Sequence, residues 1–120
     1  MKRLLLVLLA SALPAIGADA PKTQWKKLDT TLEPRKMLEF CDKLAAGEKR
    51  RFHWKSSAAV DFNIHYHEGN EAQYPVKRDA MRGDGGTFTA RTEQEYCWMW
   101  TARNAKARVE AQVETGDAPR

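Results

Sequence analysis

Hydrophobic and polar residues alternate with a period of two from residue 52 onward, as in a β-strand that buries one face. The alternation predicts strands near residues 52–55, 60–67, 87–90 and 107–114, and a central strand at 96–101 that is apolar on both faces. Turn residues lie between them at Ser56-Ser57, Gly69-Asn70, Gly83-Asp84-Gly85-Gly86 and Arg103-Asn104. Short strands at this spacing predict an all-β fold, a small antiparallel β-sandwich of jelly-roll-like type.

Residues 34–46 fit two patterns. Met37, Cys41 and Leu44 fall at helical spacing, and local pattern alone favours a helix. A strand would instead place Leu38 and Phe40 on one face. The residues themselves leave helix or strand open for 37–44.

Residues 1–18 have the order of a secretory signal peptide. Lys2 and Arg3 precede an apolar run at 4–10, Pro14 follows, and small residues lead to a preferred cleavage point after Ala18. This apolar stretch is shorter than the roughly 20 residues that span a bilayer, so we expect no transmembrane anchor in the mature chain. The expected divisions are a signal peptide (1–18), an N-terminal arm (19–36), a sandwich domain (37–114) and a flexible tail (115–120). Export implies a periplasmic or extracellular location.

Net charge changes with this processing. The full chain of 120 residues carries 20 Lys and Arg against 16 Asp and Glu, a formal charge of +4. Loss of Lys2 and Arg3 leaves 18 basic and 16 acidic residues, a charge of +2. So small a charge on an exported domain argues against a nucleic-acid partner. We expect a small molecule or a protein as the ligand.

The only two cysteines, Cys41 and Cys97, predict a disulfide in an exported chain. The bridge would join an early segment to a late strand and close a long loop. A redox couple is the alternative, but it commonly uses a CxxC spacing or a thiol beside a base, and neither occurs here.

The sequence also resembles the GOLD domain, a β-sandwich of eukaryotic cargo receptors and scattered bacterial exported proteins. The resemblance covers about residues 39–113 and is carried by short motifs, Glu39-Phe40-Cys41, Val60-Asp61-Phe62-Asn63-Ile64, Gly86-Thr87-Phe88 and Glu95-Tyr96-Cys97-Trp98. In that family a cysteine on an early strand pairs with one on a late strand. The resemblance therefore implies a strand at Cys41, and it implies binding without catalytic residues.

A histidine pair is the most unusual local feature. His65 and His67 project from one face of a strand, about 6.5–7 Å apart, and Glu71 follows near the turn. Together they are a candidate site for a divalent transition metal such as Zn, Cu, Ni or Fe, and no other cofactor is predicted. The spacing partly resembles the first metal motif of cupins, but the only other histidine, His53, lies upstream. The alternative places both histidines on the solvent face of an amphipathic strand.

Trp98 and Trp100 share a face of their strand and, with Asn63, form a candidate ligand face. Their alternative role is the core of the sandwich. No catalytic residues are predicted. The sequence thus favours an exported, non-enzymatic binding domain of unknown ligand. The alternative function is a small cupin-like metal-binding protein that uses His65, His67 and Glu71.

Overall fold

The computed structural model describes residues 23–116, which form six β-strands. They are β1 (Gln24–Leu32), β2 (Met37–Leu44), β3 (Lys49–Glu68), β4 (Glu71–Thr89), β5 (Gln94–Ala102) and β6 (Ala107–Thr115). Among these residues there is no helix that could cross a membrane. The predicted signal peptide lies outside the described residues, as do the last four residues of the predicted tail.

A long hairpin of β3 and β4 organises the sheet. β4 pairs with β3 along nearly its whole length, while the other edge of β3 pairs first with β6 and then with β5. β1 extends the sheet beyond β6, and β2 extends it beyond β5, all antiparallel. Because β5 and β6 pair with different halves of β3, the sheet curls into two facing layers. The predicted antiparallel β-sandwich is therefore confirmed.

The hairpin changes register where the sheet bends. Between Lys55 and Val60, β3 contains more residues than the facing part of β4, which pairs Gly83 with Lys55 and Met81 with Val60. The turn predicted at Ser56-Ser57 is therefore wrong, because the chain bends there within one strand instead of reversing. The turn predicted at Gly69-Asn70 is correct and connects β3 to β4.

The glycine-rich run at 83–86 is also part of a strand, and its predicted turn is wrong. A Cβ at Gly83 would lie 3.1 Å from the carbonyl oxygen of Trp54, and one at Gly85 would lie 3.2 Å from that of Phe52. These glycines let β4 approach β3 closely at the bend. Because Gly83 and Gly85 have no side chain, the backbone of β4 can contact the backbone of β3, and the chain does not reverse direction there.

Aromatic side chains fill the space between the layers. The ring of Phe62 lies 5.6 Å from Phe52, 5.4 Å from Trp54 and 5.5 Å from Trp100, measured between centroids. Residues of β6 complete the buried surface with alternate positions, Ala107, Val109, Ala111 and Val113. The hydrophobic residues that recur at every second position in the sequence thus form the inner face of the sandwich.

The cysteines join β2 to β5. Cys41 and Cys97 are directly opposite in the antiparallel register and form a disulfide, with 56 residues of sequence separation. The predicted bridge and the strand at Cys41 are both confirmed, and the helical alternative for residues 37–44 is wrong.

The N-terminal part of the sandwich begins earlier than the sequence indicated. Residues 24–32, within the predicted arm, form β1 and pair with β6 at the edge of the sheet. The ordered fold therefore extends beyond the predicted boundary at residue 37.

Candidate binding surface

The outer face of β3 contains two buried polar residues. Asn63 is 8% exposed and His65 is 4% exposed, although both point away from the aromatic core formed by their neighbours Phe62 and Ile64. His65 lies opposite Cys97 on β5, and its ring is 5.7 Å from that of Tyr74. The neighbouring strands therefore cover a face that the alternation predicted to be open to solvent.

Both ring nitrogens of His65 face oxygen atoms. Asn63 Oδ1 lies 2.7 Å from His65 Nδ1, and Glu39 Oε2 lies 3.5 Å from His65 Nε2. Burial lowers the pKa of His65 and the neighbouring His67 lowers it further, while the carboxylate of Glu39 opposes this shift. The imidazole is thus held neutral near neutral pH. In that state Asn63 accepts the hydrogen bond from Nδ1–H.

Two of the three candidate metal ligands lie close together. The rings of His65 and His67 are 5.2 Å apart and nearly perpendicular, as expected for residues on one face of a strand. Glu71 instead pairs with Glu68 at the end of the hairpin. Between residues 23 and 116, potential ligand atoms gather within 4.8 Å in two triads, Glu39/His65/Cys97 and Cys41/Glu95/Cys97, and Glu71 belongs to neither.

The cysteine sulfur atoms in these two triads already form a disulfide bond. Cys41 and Cys97 are bonded to each other, so neither offers a thiolate to a metal. Glu39 Oε1 lies 3.5 Å from Cys41 Sγ, which places the carboxylate over the disulfide. Glu39 is therefore the neighbour of His65 that sequence reasoning missed.

The ligand face predicted from Asn63, Trp98 and Trp100 is not assembled. Both tryptophans are fully buried between the layers, whereas Asn63 lies on the opposite face of the sheet. Trp98 and Trp100 pair with Ile64 and Phe62, which are themselves core residues. The tryptophans are thus core residues, the alternative that the sequence also allowed.

A groove of about 570 Å³ opens at one end of the sandwich, between the layers. Its lining combines aromatic and polar side chains from β3, β4, β5 and the segment that joins β4 to β5, including Tyr66, Tyr74, Phe88, Arg91, Thr92 and Tyr96. Aromatic and arginine side chains are the types enriched at protein-binding surfaces. None of these residues was singled out by the sequence as a binding residue.

Tyr74 lies on the rim of this groove and is 50% exposed. The register shifts between Ile64 and Tyr66, where β4 has one extra residue next to Pro75. Pro75 was the sequence signal of this irregularity, because proline removes a ladder donor. The bulge presents the Tyr74 ring outward, and Lys77 Nζ lies 5.7 Å from its centroid.

The opposite wall of the groove is fixed by a buried hydroxyl. Tyr96 donates a hydrogen bond to the carbonyl oxygen of Thr92 over 2.7 Å. The ring of Tyr96 packs 4.9 Å from Phe88 and 5.3 Å from Tyr66. This contact anchors the segment that carries Arg91 and Thr92 to the core, so the groove has one rigid wall.

No family model matches the chain, and no curated protein sequence matches it. The resemblance to the GOLD domain is therefore not confirmed at the level of the family. The comparisons also give no support to a cupin.

Solved structures show the same fold at low sequence identity. The Yersinia pseudotuberculosis-derived mitogen (YPM) is 8% identical with a TM-score of 0.60, and the match covers 82% of this chain and 92% of that one. Aeromonas hydrophila PliG, a periplasmic inhibitor of g-type lysozyme, is 12% identical with a TM-score of 0.56, covering 77% and 86%. The pre-peptidase C-terminal domain of Bacillus anthracis collagenase is 11% identical with a TM-score of 0.56, covering 73% and 87%. These similarities support a small β-domain fold.

Proposed function

We propose that this protein is an exported, non-enzymatic binding domain that recognises another protein through the groove at the end of the sandwich. The exposed Tyr74 on the rim of this groove is the observation that carries the proposal. Tyrosine offers a large apolar ring and a hydroxyl at low cost in conformational entropy, which suits protein recognition. The groove walls add further aromatic surface and the charge of Arg91.

The disulfide supports the proposed export, because such bonds persist in oxidising compartments. The Cys41–Cys97 disulfide is expected to persist in the periplasm or outside the cell. PliG, one of the structural neighbours, is a periplasmic inhibitor of a g-type lysozyme, so a sandwich of this shape is compatible with binding a protein. The partner of this chain is a protein segment that fits an aromatic groove carrying a positive charge.

A peptide-display selection against the mature protein tests the proposal. Random peptides selected on the wild-type protein are expected to shift backbone NMR signals of Tyr74, Arg91 and Thr92. Tyr74→Ala is expected to weaken binding by about 2 kcal/mol, the scale of an interface hot spot. Arg91→Ala removes the positive charge of the groove and keeps the Tyr74 ring, and it is also expected to weaken binding.

Met37→Ala is the matched control. Among residues 23–116, Met37 is the other large exposed hydrophobic residue, 58% exposed, and it pairs with Thr101 at the end of β5 away from the groove. Its loss should leave peptide affinity unchanged. Selected peptides that bind Tyr74→Ala and Arg91→Ala as tightly as wild type, or that shift signals elsewhere, would overturn the proposal.

A further inference from the structure

The contact between His65 and Glu39 brings two hydrogen-bond acceptors face to face. Asn63 Oδ1, at 2.7 Å, requires the proton of the neutral imidazole to be on Nδ1. Nε2 then presents a lone pair toward Glu39 Oε2, 3.5 Å away. A lone pair and a carboxylate repel each other unless a positive charge lies between them. The arrangement is therefore suited to a bound cation.

The separation of the two atoms fits a shared metal ion. Zn²⁺ holds imidazole nitrogen and carboxylate oxygen at about 2.0–2.2 Å, so two such ligands at a tetrahedral angle lie roughly 3.4 Å apart. The 3.5 Å between His65 Nε2 and Glu39 Oε2 is close to this value. A metal-binding histidine commonly donates its other ring N–H to a hydrogen-bond acceptor that orients the ring, and Asn63 is that acceptor for His65.

His67 is the third ligand that the strand provides. Its ring is 5.2 Å from that of His65 and nearly perpendicular to it. Two imidazoles on one tetrahedral ion have centroids about 5 Å apart, given the same bond lengths. His67 is exposed and lies outside the compact Glu39/His65/Cys97 group, so its ring must turn about its side-chain bonds to reach the ion.

The disulfide fixes the distance across the strands. Glu39 is on β2 and His65 on β3, with β5 between them. Cys41, on the same face of β2 as Glu39, is bonded to Cys97, which pairs with His65. The bridge thus limits movement of β2, which carries Glu39, against β5, and the ladder of β5 with β3 completes the link to the histidines.

We propose that Glu39, His65 and His67 bind one divalent transition-metal ion, with Zn²⁺ as the preferred ion. Two neutral histidines and one carboxylate form a donor set of charge −1, which suits Zn²⁺ and leaves a fourth position for water or a ligand. The site lies on the outer face of the sheet. It is independent of the end groove, apart from Tyr74, which contacts His65.

Titration of the chelator-treated mature protein with Zn²⁺ by calorimetry tests the site. One equivalent is expected to bind, and Co²⁺ in its place should give the visible absorption of a tetrahedral complex. Glu39→Gln and His67→Ala should each weaken Zn²⁺ binding by at least about tenfold. Both replacements are at exposed positions and avoid the buried His65, so folding is expected to be retained. Circular dichroism verifies that.

Two control variants separate this site from the alternatives. Glu71→Gln should leave Zn²⁺ affinity unchanged, and so should His53→Ala, an exposed histidine on the half of β3 that pairs with β6. The proposal is overturned if the wild-type protein takes up no Zn²⁺, which would leave a proton as the cation between His65 and Glu39. It is equally overturned if Glu71→Gln weakens binding while Glu39→Gln does not.

Discussion

Ala80 adopts a left-handed backbone conformation, with φ of 52°, within β4. The register with β3 shifts here, because β4 carries one extra residue between Met81 and Arg78. The N–H of Ala80 donates a hydrogen bond to Asp61 Oδ1 over 2.9 Å, which ties the bulge to β3. A Cβ at such a φ is unfavourable, whereas glycine adopts it freely.

Ala80→Gly is therefore expected to stabilise the fold by about 0.5–1 kcal/mol, since relief of the left-handed strain exceeds the added chain entropy of glycine. Urea denaturation with an unchanged m-value measures the effect. Ala72→Gly, in the same strand but without a positive φ, should destabilise the protein by a similar amount. A loss of stability in Ala80→Gly would contradict this explanation.

Asp61 links the same bulge to pH. Burial by itself would raise the pKa of Asp61, but the N–H of Ala80 and the guanidinium of Arg103 lower it overall, below the ordinary 3.8. The folded protein then binds fewer protons than the unfolded chain in acid. The contribution of Asp61 to stability is present above pH 3.8 and is lost as the pH falls through the folded-state pKa.

Asp61→Asn should accordingly lower stability near neutral pH and flatten the loss of stability below pH 3.8. Urea denaturation across the acid range measures both effects. Arg103→Gln removes the partner, whose Nη1 lies 2.6 Å from Asp61 Oδ1, and should reduce the same pH dependence. An unchanged acid slope in both variants would show that this pair does not control it.

At the scale of elements, the disulfide is a covalent constraint between two neighbouring strands of the sheet. It connects β2 to β5 across a sequence separation of 56 residues. The double variant Cys41→Ala/Cys97→Ala is expected to lose about 4 kcal/mol, the chain-entropy value for a loop of this length. Denaturant titration measures the loss, and the wild-type protein under reducing conditions should show the same decrease. Equal stability with and without the bridge would refute the estimate.

Element prediction succeeded where one face is buried and failed where strands bend. The alternation of Val109, Ala111 and Val113 identified β6, because burial of one face repeats every second residue. Ser56-Ser57 and the glycines at 83–86 have the composition of turns, yet they lie within β3 and β4. Runs of serine or glycine indicate where a strand can bend. Only pairing with a neighbour decides whether it reverses.

At the scale of the whole molecule, Phe62 lies at the centre of the aromatic core. Its ring contacts Phe52 and Trp54 of β3 and Trp100 of β5, and so joins the two halves of the curled sheet. Phe62→Ala should cost about 3–5 kcal/mol, since it leaves a cavity among rigid rings. Thermal and urea denaturation measure this loss.

Phe40→Ala is the comparison for that variant. Phe40 is only partly buried, and the ring contact shown for it is with Trp98, at 6.2 Å. Its replacement should cost clearly less than that of Phe62. Equal losses would mean that the core is not centred on Phe62.

The sequence alone determined the all-β class, the inner faces of β3 and β6 and the pairing of the two cysteines, because these depend on local periodicity and on there being one cysteine pair. It also placed Asn63, His65 and His67 on one face. The tertiary structure decided what covers that face. Glu39 reaches His65 only through the register of β2, β5 and β3, and Tyr74 only through a bulge in β4. Such contacts join residues far apart along the chain. Their existence depends on strand order and register, which local patterns do not encode.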